Sequence, residues 1–541
     1  MGESFFGLNV AVRGLFTAQR NLDTVNHNLN NVNTPGYSRQ QSIQKAAKPM
    51  SMYDGTGMMG TGSDVTGVKR VRDEYLDFKY WSESITMGEW SAKQEILGDI
   101  EVTFNEPSNS GFTTIMADFY NSVQELGKDP SSAAVRALVK QKGVTLAKYF
   151  NSMATHFDEM QQDVNDRIQT KVEEVNSYAK QIQQLNRQIY IAELDGNSAN
   201  DLRDSRTLLV DKLSKIINID ANEVVYGKLP DGRDDKHFVI TISGKALVDH
   251  YNISELAVVQ RKSVQKVNTE DIPNLYEVQW KDGNSLNVKG GEIKGYLDVR
   301  DGNEGNVGPN GIASPNYKGI PYYQKKLNEF VRTFARAFNE GYIDADGDKA
   351  YDAAEDTGIG HADGYGYNTT TTGIRFFTMT GTDHKEISTA QFLGSAATGE
   401  DIYNCYSQMT AKNFSISADI LNDYNLIATS DAANEAGNIE ILNKLLAVRH
   451  NTEMFSEGAP EDFMKSLVAT LGIDSQQAKN FEANQKVIVN QIVNRRTSDS
   501  GVSIDEEMTN LVKFQQAYNA SAKMIQTMGE IYDTLINKLF V

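Results

Sequence analysis

Residues 8–37 read LNVAVRGLFTAQRNLDTVNHNLNNVNTPGY, and the fold is decided there. Leu8, Leu15, Leu22 and Leu29 recur at a spacing of seven, with Ala11, Ala18, Val25 and Val32 three residues after each. That repeat lines one face of a helix with a four-heptad apolar seam. It stops at Asn33-Thr34-Pro35-Gly36-Tyr37, where proline disfavours helix at the residue before it and glycine supplies a turn. The helix is expected to end near Asn31.

The other end carries a second seam. Ile504, Leu511, Tyr518, Ile525, Tyr532 and Leu539 repeat at seven, with Phe514, Met528 and Leu535 in the second apolar position. Ser503 can cap the start, and Asp505, Glu506 and Glu507 suit the positive end of the helix dipole. Asp474 to Thr497 reads as the preceding helix. Ser498-Asp499-Ser500-Gly501 reads as a turn that folds the two into a hairpin.

Between these ends the pattern changes twice. Helices are predicted around Met87–Val102 and Ala133–Ala147, then along the seam Ile168, Val175, Ile182 and Ile189, with Gly196 as a stop, and again over roughly Asp201–Ile217. From Val224 alternation takes over: Phe238, Ile240 and Ile242 on one face, then Leu256 and Val258, then Tyr276, Val278 and Trp280, with Asp-Gly turns at 231–232 and 282–283. Helix returns at Tyr322–Glu340. Asp344 to about Tyr424 is rich in Gly, Thr and Asp, with a short strand candidate at Ile374–Met379, and helical pattern resumes near Ile439.

The expected fold is therefore multidomain and mainly α, with β-rich insertions. Residues 1–50 and 498–541 form terminal assembly helices packed together like a coiled coil, and 51–222 with 432–497 a rod-like helical bundle. Residues 223–310 form an outer β-rich domain, 311–343 a connecting helix of the rod, and 344–431 a mixed outer insertion. An isolated helix leaves its stripe in water and recovers little of the ~2 kcal/mol available per buried Leu or Ile. The asparagines of the first helix, Asn9, Asn21, Asn26, Asn28, Asn30 and Asn31, weaken it further. Both seams must pack on each other or on another molecule.

Composition narrows the function. The 541 residues carry a net charge of -19, which opposes binding to nucleic acid or to anionic membranes. Mean hydropathy is -0.47, and no apolar run approaches the ~18 residues of a membrane span. The first residues lack the features of a secretory signal. A single cysteine, Cys405, permits no intrachain disulfide and reads as a small, partly buried apolar residue.

Residue identities add a resemblance. Asn26-His27-Asn28-Leu29-Asn30-Asn31-Val32-Asn33-Thr34-Pro35-Gly36-Tyr37-Ser38 closely resembles the N-terminal signature of bacterial flagellar rod and hook proteins, through Asn31, Asn33, Thr34, Pro35, Gly36 and Tyr37. Ser500-Gly501-Val502-Ser503-Ile504-Asp505-Glu506-Glu507-Met508-Thr509-Asn510-Leu511, continuing to Tyr518, looks like the matching C-terminal signature. Asn200-Asp201-Leu202-Arg203-Asp204 and Asn494-Arg495-Arg496-Thr497 are similar to helix motifs of the members that join hook to filament. Gly290–Asp301 is similar to their strand–turn motif.

That resemblance implies a non-enzymatic structural subunit without cofactors, exported unfolded without a cleaved signal and placed outside the cell in the flagellum. It implies a ring of copies whose terminal helices form an inner tube, hook protein below, the next hook-associated protein above, and a cytoplasmic export chaperone on the C-terminal helix. A hook or rod subunit remains an alternative, as does a secreted adhesive or calcium-binding module. No His-Glu-x-x-His, phosphate-binding loop or nucleophile elbow occurs, so no catalytic residue is nominated. Asp344, Asp346, Asp348, Asp352 and Glu355 take calcium-loop positions, but Lys349 stands where the loop needs glycine. We read that segment as an acidic turn and expect no metal.

Overall fold

The computed structural model describes residues 6–51, 57–104, 111–194, 196–230, 232–343, 351–352, 358–396 and 398–537. Helix α1 (Phe6–Asn30) carries the first seam and ends at the expected turn, where Gly36 takes a left-handed φ of 80°. Strands β1 (Gln40–Ala46), β2 (Met50–Ser51), β3 (Met58–Met59) and β4 (Ser63–Arg70) follow. β1 pairs antiparallel with β4, from Gln40 opposite Arg70 to Ala46 opposite Ser63, and this ribbon lies back along α1.

Four helices come next: α2 (Glu74–Phe104), α3 (Phe112–Lys128), α4 (Ala133–Glu193) and α5 (Asn200–Ile216). α4 is a single helix of 61 residues, opened by Ser132, whose hydroxyl accepts from the Val135 amide. The sequence pattern suggested two separate helices there. Residues 148–167 are rich in polar side chains of modest helix propensity, yet Phe150, Met153, Phe157 and Val164 are buried along one side and hold the helix through packing.

Strands β5 (Asp220–Lys228), β6 (Asp234–Ile242), β7 (Lys245–Asp249) and β8 (Asn252–Ile253) form an antiparallel sheet in that order, with Phe238, Ile240 and Ile242 buried on one face. β9 (Leu256–Gln260) pairs with β10 (Tyr276–Trp280), setting Leu256 opposite Trp280 and Val258 opposite Val278. Helix α6 (Glu292–Asp301) corrects the strand–turn expectation for 290–301. Gly291, with φ 88°, is the residue before the first helical turn, and the glycine pair starts a helix where it was read as turning a strand.

α7 (Ile320–Glu340) leads into β11 (Phe377–Met379), α8 (Thr389–Leu393), α9 (Gly399–Cys405), β12 (Phe414–Ile416), α10 (Ala418–Asn422) and α11 (Glu440–Val448). β11 and β12 pair antiparallel. The acidic calcium-like positions Asp344, Asp346, Asp348 and Glu355 lie outside the described residues. Two long helices finish the chain, α12 (Pro460–Ser500) and α13 (Ile504–Asn537).

The anticipated α12–α13 hairpin is not formed: α12 packs along α2, and α13 packs along α1. Helix α12 runs on through Ser500, and Gly501 is extended at φ -75°, ψ 159°, so the junction does not reverse the chain. The core runs continuously from Trp81 to Ala478 through α2, α3, α4, α7, α11, α12 and the sheets. Its centre is aromatic, with Phe150 stacked on Phe330 at 5.2 Å and Phe330 on Phe455 at 5.3 Å. Among the described residues, neither α1 nor α13 contributes to it.

Candidate assembly site

The two terminal helices meet in a seven-residue register. A β-carbon on Gly7 would lie 2.6 Å from Met528 Cε, and one on Gly14 would lie 3.0 Å from Ser521 Oγ. Asn28 Nδ2 donates to Glu507 Oε2 at 3.1 Å. Seven residues up α1 thus correspond to seven down α13, and fourteen to fourteen, so the pair is antiparallel and the heptad spacing is the spacing of contact. The small residues Gly7, Gly14, Ala11 and Ala18 let the helices approach closely.

Polar side chains lock the far end of this pair. Asn28 is 1% exposed and fully partnered: Nδ2 donates to the Gln40 carbonyl and to Glu507, while Oδ1 accepts from the Gln40 amide at 2.9 Å and the Tyr37 hydroxyl at 2.8 Å. Glu507, also buried, accepts from Arg39 Nε at 2.7 Å. A buried carboxylate without such donors would cost several kcal/mol. Burial, followed by Asp201, Asp204 and Glu507, drives the Tyr37 hydroxyl well above its ordinary pKa, so it remains a donor.

A second cluster joins the signature turn to the rod. Asp204 of α5 accepts from the Ser38 amide at 2.7 Å and hydroxyl at 2.9 Å, and from Arg70 at 3.0 Å. Arg72 donates to Ser38 Oγ and grips both oxygens of Asp77 on α2, at 2.7 and 2.9 Å. Arg496 near the end of α12 reaches Asp77 at 2.8 Å and Asp211 of α5 at 3.0 Å, and Asp211 also accepts from Trp81 Nε1 at 2.6 Å. The Arg39 amide donates to the Ser500 carbonyl at 2.8 Å. The signature turn and both sides of the α12–α13 junction are therefore tied together.

The structure places Leu8, Leu15, Leu22 and Leu29 half-buried, with Ala11, Ala18 and Val25 as the fully buried line of α1. On α13, Leu511, Phe514, Tyr518, Ile525, Met528 and Tyr532 are half-buried, Ile504 and Leu535 are exposed, and Leu539 lies outside the described residues. Of the signature residues, Asn31 and Tyr37 are half-buried, while Asn33, Thr34, Pro35 and Gly36 are exposed at the turn. Asn31, Thr34, Pro35 and Tyr37 face Gln181, Gln184 and Gln188 of α4 across a groove of about 500 Å³. Sequence reasoning missed Arg70, Arg72, Asp77 and Asp211: Arg72 and Asp77 are near neighbours in the chain, but Arg70–Asp204, Asp77–Arg496 and Asp211–Arg496 join distant segments. Their one local sign is the charge alternation Arg70-Val71-Arg72 at the end of β4.

The motifs brought together here are also the stretches that known families share. The model described as flagellar hook-associated protein FlgK helical domain matches residues 97–357. The flagella basal body rod protein model matches 8–37, and the C-terminal model of basal body rod FlgEFG proteins matches 494–539. Flagellar hook-associated protein 1 of Bacillus subtilis is 28% identical over 569 aligned positions, covering 100% of this chain and 99% of its own. Over its whole length the chain is similar to flagellar hook-associated protein 1. The Escherichia coli member is 26% identical across 98% of this chain and 99% of its own. The flagellar hook junction protein FlgK from Burkholderia pseudomallei, at 15% identity and a TM-score of 0.50, covers 80% of this chain and 100% of its own, a likeness of fold. Each family stretch contributes to the two polar clusters: Asn28 and Tyr37 from the first, Asp204 from the helical domain, Arg496 and Glu507 from the last. No described helix is long and apolar enough to cross a membrane.

Proposed function

We propose that this chain is a structural subunit of the bacterial flagellum that joins hook to filament by self-assembly of its paired terminal helices. One observation carries the reading. The α1–α13 pair buries one face of each helix and leaves large apolar side chains on the others, including Phe16, Met508, Val512, Met524, Ile531 and Leu535. Met524 and Ile531 stand seven residues apart, on one stripe that a neighbouring copy can cover. Such surface is retained where an assembly buries it, each residue contributing about 1–2 kcal/mol.

In this reading the copies form a ring whose terminal helices line the inner tube, with hook protein on one side and the next hook-associated protein on the other. A cytoplasmic export chaperone covers α13 before export, which proceeds without a cleaved signal. The protein works outside the cell, without catalysis or cofactor. Of the alternatives, a rod or hook subunit draws on the rod-type matches at both ends. The hook-associated match over 97–357 favours the junction.

The test is complementation of a strain that lacks its own junction protein, with Met524→Asp and Ile531→Asp beside wild type. Wild type is expected to restore filaments on existing hooks. Each variant is expected to be exported and to melt as wild type does, yet to leave hooks bare. Normal filaments from both variants would remove this stripe from assembly, and a wild-type chain that leaves the existing hooks bare would favour the hook or rod reading.

A further inference from the structure

Four rings stack through the outer sheet. Tyr226 of β5 lies on His237 of β6 (centroids 4.8 Å apart, planes at 4°), His237 on His250 (4.0 Å, 8°), and His250 on Tyr251 (3.9 Å, 41°). Tyr190, near the end of α4, meets His250 and Tyr251 edge-on at 5.6 and 5.7 Å. The column joins the sheet to the last turns of the long helix. Tyr226 and Tyr251 at its two ends are exposed and His250 between them is 5% exposed, so the stack passes through the interior.

His250 is held in an unusual way. Its φ of 50° lies in the left-handed region, sparsely used by residues with a side chain. Its amide donates to the Phe238 carbonyl at 3.1 Å, and its carbonyl accepts from Asn186 Nδ2 of α4 at 3.1 Å. Neither ring nitrogen has a hydrogen-bond partner among the described residues. A neutral imidazole tolerates this; an imidazolium has two N–H donors to satisfy.

Charged groups surround the pair from every packed element. From α5, Arg206 lies over the Phe238 ring at 3.8 Å. From β6, Asp235 stands 3.5 Å from His237 Nε2, and Asp249 of β7 precedes His250. Glu223 of β5 is held by Arg203 and Arg206, and Glu193 of α4 by Arg203. Arg187 of α4 acts on Tyr251. Burial, then His237, brings the His250 pKa down to about 4; Arg206 pushes the same way, while Asp235 and Asp249 oppose them.

We propose that the His237–His250 stack is an acid-sensitive latch, which holds the outer sheet on the end of α4 while the two imidazoles carry at most one proton and releases it when both are charged. His237 is partly exposed and faces Asp235. An imidazolium stacked on a neutral imidazole keeps the column intact. A charge on His250 as well sets two parallel cations 4.0 Å apart beside Arg206, with no acceptor for the new N–H. Opening frees His250 to its ordinary value near 6.5, so release grows as pH falls below that point.

Hydrogen–deuterium exchange on the full chain, corrected for intrinsic rates, tests the latch at pH 7.5 and 5. Wild type is expected to lose at least tenfold in protection over 234–253, while 150–164 inside α4 stays unchanged. His250→Asn, which tolerates left-handed backbone, is expected to shift less than twofold. Equal protection of 234–253 at both pH values in wild type, or an equal fall in His250→Asn, would overturn the proposal. Should that variant not fold, NMR titration of the His250 Cε1 proton in wild type decides: a midpoint below 5 supports the latch, and one near 6.5 removes it.

Discussion

Asp204 accepts two hydrogen bonds from Ser38, one from the backbone amide at 2.7 Å and one from the hydroxyl at 2.9 Å, across 166 positions of sequence. That contact fastens the signature turn to α5. Arg70 and Arg72 stand at 3.0 and 3.7 Å from the same carboxylate, and all three side chains are largely buried.

Removing Asp204 therefore strands the Arg70 cation and the Ser38 amide in a largely buried place, while Arg72 keeps Asp77. Asp204→Ala is expected to destabilise the protein by roughly 3–5 kcal/mol. Ser38→Ala, which keeps the amide contact, is expected to cost about 1 kcal/mol. Chemical denaturation gives both values, and protease cutting within 31–37 reports the turn directly. An Asp204→Ala protein within about 0.5 kcal/mol of wild type, the usual range for a surface substitution, would show that this cluster does not fasten the turn.

Two glycines of α2 give predictions of opposite sign. A β-carbon on Gly88 would stand 2.0 Å from the Lys215 carbonyl oxygen, whereas one on Gly98 would meet nothing within 4 Å. Helix propensity alone favours alanine at either position by about 1 kcal/mol. Gly98→Ala is expected to gain about that much. Gly88→Ala must push α2 off the end of α5, an overpacking cost of about 1–3 kcal/mol or more. Denaturant midpoints with unchanged slopes would establish the two signs. A stabilised Gly88→Ala would mean that α2 and α5 separate there without penalty.

Much of this architecture is legible in local pattern, because each visible element has its own periodicity. The leucine heptads gave α1, and the alternation of Phe238, Ile240 and Ile242 gave β6. Trp280 and Leu256 were read on separate strands and pair directly. What escaped is what local pattern does not encode. Helix α3 is the exception, overlooked although its inward face of Phe112, Met116, Phe119, Val123 and Leu126 repeats at helical spacing. Ser500-Gly501 looks like a reversal in isolation, but α12 and α13 are already committed to α2 and α1. The seams announced themselves within the chain, whereas Arg72–Asp77–Arg496 is a relation between two distant segments.

Acid should weaken the mixed region through His361. Its ring is buried, with Nδ1 2.8 Å from the Ile374 carbonyl and Nε2 accepting from the Ala428 amide at 2.9 Å, which fixes the neutral tautomer with the proton on Nδ1. Burial lowers its pKa to about 4, and Arg136 and Arg375 add to the effect against the opposing Ile374 contact. The unfolded chain takes up a proton near 6.5, before the folded one does. The stabilisation is thus complete above 6.5 and is lost as pH falls through about 4, by at most roughly 3 kcal/mol. Denaturant unfolding from pH 7.5 to 4.5 should show this slope, and His361→Gln should flatten it. An unchanged slope in the variant would assign the acid sensitivity to other groups.

The last prediction separates two neighbouring residues on α13. Leu511 lies one helical turn beyond Glu507 on the face toward α1 and is half-buried, whereas Val512 is 52% exposed. Leu511→Asp removes apolar contact and places a carboxylate between the helices, an expected cost of about 2–4 kcal/mol to their pairing. Because α1 and α13 add nothing to the described core, the main thermal transition should stay where it is. The damage should appear as rapid proteolysis of the two terminal segments. Val512→Asp should leave both melting and proteolysis unchanged, since isolated surface substitutions fall within about 0.5 kcal/mol, and should fail only when copies must pack on one another. Filament formation in a strain lacking its own junction protein, read beside a protease time course of the purified monomer, distinguishes the two. A Leu511→Asp monomer as resistant as wild type would show that the terminal pair is not held by this seam, and a Val512→Asp protein that supports filaments would place the subunit contact on another face of α13.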